Sequence, residues 1–211
     1  VGINNRFDIE ANYYLTFHAF LTLHDKYLSE KEIIKAQKLA LFALNLVTQM
    51  EKETQDPEYF SSSKKTVLLL VVRNFIQTNQ MDLAKEYFSL YKEDFSNITA
   101  AAKSNDSIGI MVDSIWENII DSIIRVEDGE IEAGFQQLKN TLNQVNDSDT
   151  PLRTHDLDLA LIPMNFFAMN GEYQKASILM SKVIDLYKSG VELRINNNSL
   201  IKKDEKEKIK N

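Results

Sequence analysis

The sequence predicts an all-α chain, and three observations carry that expectation. Only 6 Gly and 3 Pro occur among 211 residues, and sheet proteins need turns far more often, so such sparse punctuation favours long helices joined by short loops. Apolar residues recur at three- and four-residue steps, most plainly at Ile108, Val112, Ile115, Ile119 and Ile123, the period of one helix face. A short pattern, a turn residue followed by a small residue and then an apolar helix face, returns four times.

Taken in chain order, residues 1–30 read as a first helix that ends in "YLSEKEIIKA". There Ser29 and Glu32 match a capping box, and Ala36 opens a second helix with Ala40 and Ala43 on its inner face. The third element, "TVLLLVVRNFIQ", carries Thr66, Leu69, Val72 and Ile76 on one row, and its "TVLLLVV" run is apolar all round and resembles a buried strand. Its length and its continuation to Gln77 decide for a helix. Asn79 turns the chain into a fourth helix through Ala84, Phe88 and Tyr91. The isoleucine row from Ile108 makes the fifth helix, Gly129 the next turn, and Gly134 with Leu138 the sixth. Pro163 falls inside the seventh helix, where it should kink the helix or shift its start. Gly171 then leads into an eighth, "NGEYQKASILMSKVIDLYKS", with Ala176, Met180 and Val183.

The small residues Ala36, Ala84, Gly134 and Ala176 are spaced by 48, 50 and 42 residues. Ala or Gly at such a place lets two helix backbones approach closely where the second helix of a pair crosses the first. Tetratricopeptide repeats run about 34 residues, so these are longer, irregular pairs. The expected architecture is a helical-repeat, TPR-like solenoid of about four antiparallel helix pairs, because a single pair cannot bury its own apolar face and stacked neighbours can. Breaks are expected at 54–63, 96–106 and 146–152. None is long enough for a domain linker, which gives one domain over 1–190 and a polar, frayed tail over 191–211.

Composition narrows the function. The net charge is −7, and without a basic stripe such a chain is a poor partner for phosphate backbones. There is no cysteine, which excludes disulfides and thiolate metal sites and fits a reducing, cytoplasmic setting. No apolar run approaches the ~20 residues of a membrane helix. Among the three histidines, His18 and His24 are six apart and share no ligand face. His155 with Asp158 reads as a helix N-terminus dressed with acids rather than a metal site. The acids of "VEDGEIE" (Glu127 to Glu132) read as a solvated turn. No phosphate-cradling loop or nucleophile elbow appears. The expectation is a non-enzymatic binding module without cofactor or metal.

In stacked pairs the first helices line the concave groove. Counting eighteen residues back from each small residue gives His18, Thr66, Trp116 and Asp158, and eleven back gives Asp25, Arg73, Ile123 and Asn165. Fifteen back gives an apolar strip, Leu21, Leu69, Ile119 and Leu161. Arg73, with Gln77 one turn on, suits a peptide carboxylate, Asn165 suits a peptide main-chain unit, and Trp116, the single tryptophan, suits an anchor. His18 and Asp158 complete the candidate set. The same residue types also fit core packing for Trp116 and an ion pair with a neighbouring helix for Arg73. A one-residue slip in register would rotate every choice by about 100°.

The stretches "KKTVLLLVVRNFIQTNQMDLAKEYFSLYKEDF" (64–95) and "WENIIDSIIRVEDGEIEAGFQQLKNTL" (116–142) resemble the sensor domains of Gram-positive peptide-pheromone receptors of the Rgg and PlcR type. That resemblance implies a helical-repeat domain that binds a short secreted peptide, forms a homodimer and controls a DNA-binding helix-turn-helix. It covers about a third of the chain, and no helix-turn-helix is read within 1–211. The chain begins with Val1 rather than Met, so such a segment is expected upstream if the resemblance holds. Two functions therefore stand side by side: the ligand-sensing domain of a peptide-responsive transcriptional regulator, and a constitutive TPR-like adaptor or scaffold in a protein complex.

Overall fold

The computed structural model describes residues 3–53, 57–95, 107–146 and 154–189. All regular structure among them is helical: α1 (Ile3–Ser29), α2 (Ile33–Glu53), α3 (Pro57–Gln77), α4 (Met81–Phe95), α5 (Ser107–Glu127), α6 (Ile131–Asn146) and α7 (Thr154–Met169), then α8 over residues 173–189. The ambiguous "TVLLLVV" run is helix, as its length predicts. The chain divides into two compact units, Val1–Asn105 and Asp106–Asn211.

Four helix–turn–helix junctions share one hydrogen-bond pattern. In the first, Lys31 N–H donates to Leu28 O at 3.0 Å, Glu32 N–H to Tyr27 O at 2.8 Å, and Ala36 N–H to Glu32 O at 3.1 Å. The same three offsets recur at Asn79, Gln80 and Ala84, at Gly129, Glu130 and Gly134, and at Gly171, Glu172 and Ala176. The first two bonds are those of a Schellman motif, which requires a left-handed residue after the helix. Lys31 (φ 59), Asn79 (φ 57), Gly129 (φ 87) and Gly171 (φ 79) hold that position. The turn residue thus sits five places before the small residue in all four cases, and a Glu or Gln caps each following helix.

The first junction corrects the expected capping box. Ser29 still belongs to α1, and its hydroxyl donates to Lys26 O at 2.7 Å. Glu32 is itself the capping residue, and its carboxylate accepts from Lys35 Nζ at 2.8 Å. The left-handed lysine between them is what the sequence pattern did not reveal.

In the first unit α1 packs on α2, α2 on α3, and α3 on α4. The ten residues Val67 to Ile76 are all buried, because α3 is covered by both α2 and α4. Full burial of each large apolar side chain there stabilises by about 1.5–3 kcal/mol. A second cluster joins Tyr13, Val47 and Phe60, with Phe17 and Met50 against it; the Tyr13 and Phe60 rings meet edge to face at 4.6 Å. Lys64, 17 % exposed, pairs with Glu51 at 2.9 Å and Asp94 at 2.8 Å, tying α2, α3 and α4 at one point. The expected break at 54–63 is shorter than predicted, since α3 already starts at Pro57, a residue suited to a first helical turn. The breaks at 96–106 and 147–152, and the tail from 191, lie outside the described residues.

In the second unit α5 packs on α6 and α7. A β-carbon added at Gly134 would lie 2.6 Å from Val126 Cγ2 and 2.8 Å from Ser122 O. The α6 backbone therefore approaches α5 as closely as a residue without a side chain allows, the role expected of the small residue. Ala36 and Ala84 are fully buried at the matching positions, and Ala176 is half-buried. Phe135 of α6 meets Phe167 of α7 edge to face at 5.8 Å. Lys175 of α8 reaches Glu132 of α6 at 3.4 Å and Glu172 at 2.8 Å, and Lys182 bonds Asn143. Pro163 lies inside α7 and does not shift its start; there it deprives the helix of one N–H donor.

Candidate functional site

Two polar residues interrupt the apolar run of α3, and both are buried: Arg73 is 1 % exposed and Asn74 0 %. Gln77 follows at four residues from Arg73 and three from Asn74, so it shares a helix face with each. Across from them on α1, His24 is 0 % exposed, and its Nε2 lies 3.0 Å from Asn74 Nδ2. With the amide donating, Nε2 accepts, and the imidazole proton sits on Nδ1, 4.0 Å from Asp25 Oδ1.

Buried hydrogen-bonding atoms are nearly always satisfied, yet three here have no hydrogen-bond partner among the described residues: His24 Nδ1, Asn74 Oδ1 and Gln77 Oε1. The cluster thus gathers one donor and two acceptors that do not pair with one another, with the buried Arg73 next to Asn74 in the chain. Asp25 is a third exposed and Gln77 half-buried; they are the members nearest solvent. Such a set can pair with both the N–H and the C=O of a peptide unit. No group of metal-ligating side chains occurs among the described residues, and none of their helices is long and apolar enough to cross a membrane.

The structure places the sequence candidates unevenly. Arg73 and Gln77 lie together on α3, but Arg73 is interior rather than open on a groove face, because α2 and α4 enclose α3. His18 on α1 is exposed, and so is Asn165 on α7. Trp116, 9 % exposed, belongs to the buried face of α5 with Ile119, Ile120 and Ile123. The Asp158 and His155 side chains lie outside the described residues. Trp116 and Asn165 fall in the second unit and Arg73 in the first. Sequence counting passed over His24 and Asn74. The polar pair inside "LLLVVRNFI" was a visible signal for Asn74, whereas nothing local marks His24 as its partner. Comparison with protein-family models, curated proteins and solved structures finds no match.

Proposed function

We propose that the chain is a peptide-binding helical-repeat module, a stack of four antiparallel helix pairs whose ligand engages the polar cluster between α1 and α3. The observation that supports it most is the set of buried, unsatisfied atoms on His24, Asn74 and Gln77. Leaving such atoms unpaired costs about 1–3 kcal/mol each, and a ligand that satisfies them recovers that cost on binding. The helix pairs of this reading are supported by four junctions with the same hydrogen-bond offsets and, in one of them, by the close helix approach at Gly134. In this reading Arg73 takes the ligand carboxylate, and Asn74 and Gln77 pair with its main chain. Entry requires α1 to move relative to α3, so the ligand selects an opened state. Following the resemblance, that movement is the signal of a ligand-sensing domain in a peptide-responsive transcriptional regulator.

The test is binding of the 211-residue chain to a pool of short synthetic peptides, each made with a free and with an amidated C-terminus. Free-carboxylate peptides should bind at least tenfold more tightly, a difference of about 1.4 kcal/mol. Gln77→Ala should weaken binding while the melting temperature holds. No binding from the pool, or binding indifferent to both the carboxylate and Gln77, would refute the assignment.

A further inference from the structure

Helix α2 buries one face and leaves the other open. Ala36, Ala40, Ala43 and Val47 are buried, on the side that meets α1 and α3. Half a turn away, Ile34, Lys38, Phe42, Asn45, Gln49 and Lys52 are all exposed. They follow one another at steps of three or four residues, so they form one row on the helix. Ile34 is 54 % exposed and Phe42 65 %, and Lys38 stands between them, four residues from each. No acidic residue occurs from Ile33 to Met50, although the chain as a whole carries −7. Lys35, at the edge of the row, is answered by Glu32 at 2.8 Å, whereas Lys38 and Lys52 meet no carboxylate among the described residues.

We propose that this row docks an acidic amphipathic helix of a partner protein, its apolar side chains on Ile34 and Phe42 and its carboxylates beside Lys38 and Lys52. Charge complementarity selects that occupant. An acidic partner is repelled by a chain of net charge −7 and attracted by this row, so the field orients it onto α2. Phe42 lies within the row, and a buried aromatic side chain is a common energetic anchor. The main-chain groups along α2 are spent within the helix, so an extended peptide would find none to pair with. A helix brings its own main chain already satisfied and sets its side-chain ridges against those of α2. Apolar and amide side chains separate the lysines, which suits a mixed acidic and apolar face better than a continuous phosphate backbone. The row spans about 27 Å, or about five helical turns. It lies on the side of α2 away from α1 and α3, so this inference does not depend on the polar cluster between those helices.

The probe is a fluorescent synthetic helix of about 20 residues, with two leucines spaced as Ile34 and Phe42 are and glutamates between and beyond them. Titrated with the 211-residue chain, it should bind, and more weakly when salt is raised from about 0.1 M to about 1 M. Phe42→Ser and Lys38→Glu should each weaken binding by about tenfold or more. Both side chains are exposed, so the melting temperature should hold. A probe with lysine in place of glutamate should bind the chain that carries Lys38→Glu and Lys52→Glu together, because both signs are then exchanged. No binding, or binding indifferent to Phe42 and Lys38, overturns the proposal. A duplex oligonucleotide that displaces the probe as well as unlabelled peptide does would assign the lysines to phosphate and overturn it too. Self-association of the chain that Phe42→Ser abolishes would make a second copy the occupant and equally refute it. Binding of free-carboxylate peptides should be unchanged in Phe42→Ser, which keeps the failure of either site distinguishable from that of the other.

Discussion

Gly134 shows how much a single residue can decide in this molecule. A methyl group there would overlap Val126 Cγ2 and a main-chain oxygen of Ser122, and a backbone atom cannot step aside as a flexible side chain can. Gly134→Ala gains about 1 kcal/mol of helix propensity and loses roughly 1–3 kcal/mol to overpacking, so the melting temperature should fall. The same substitution at Gly129 meets nothing within 4 Å and costs only the left-handed backbone strain, about 1–2 kcal/mol. The buried pair His24 and Asn74 gives a second residue-scale prediction. His24→Leu strands a buried amide and should cost about 1–3 kcal/mol, while adding Asn74→Leu should restore much of that loss. Denaturant titration of the two single variants and the double variant checks it. If the losses simply add, the two side chains are not coupled.

Among the elements, α3 depends most on its neighbours, and Lys64 is where three helices converge. Burial alone would push the Lys64 ammonium down, but its bonds to Asp94 and Glu51 outweigh that and hold it above the ordinary lysine value of 10.5. A raised pKa in the folded state means that this stabilisation is complete below the unfolded value and fades as pH rises through the folded one. Lys64→Met should therefore cost about 1 kcal/mol, with a melting-temperature difference that is constant from about pH 7 to about pH 9. Above that range the gap to wild type should close. A gap that stays constant into strong alkali would mean that the lysine stem, not its charge, holds the three helices. The junctions between elements were partly legible beforehand. Asn79, Gly129 and Gly171 announce themselves because Asn and Gly tolerate the left-handed region. Lys31 does not, and the first junction was accordingly read as a capping box that the structure lacks.

For the molecule as a whole, the net charge of −7 predicts that the isolated chain does not retain nucleic acid at physiological salt. A mobility-shift titration at about 0.15 M salt checks this, and tight, salt-sensitive retention would show a basic surface that the sequence does not suggest. The all-α class, the helix at "TVLLLVV", three of the four turn residues (Asn79, Gly129 and Gly171) and the small residues at the crossings were legible from one chain. Each is a local property, set by backbone freedom at one residue or by the period of one helix face. The candidate site was legible only in part. Arg73 and Gln77 were picked by counting, but their burial follows from α2 and α4 closing over α3, which no single segment encodes. His24 was missed because its partner lies 50 residues away, a pairing that exists only once α1 and α3 are packed. The sequence determined the helices and where they turn; the tertiary structure decided which of their faces meet. The physical reason is that the turn chemistry acts within about six residues, whereas burial depends on elements remote in the chain.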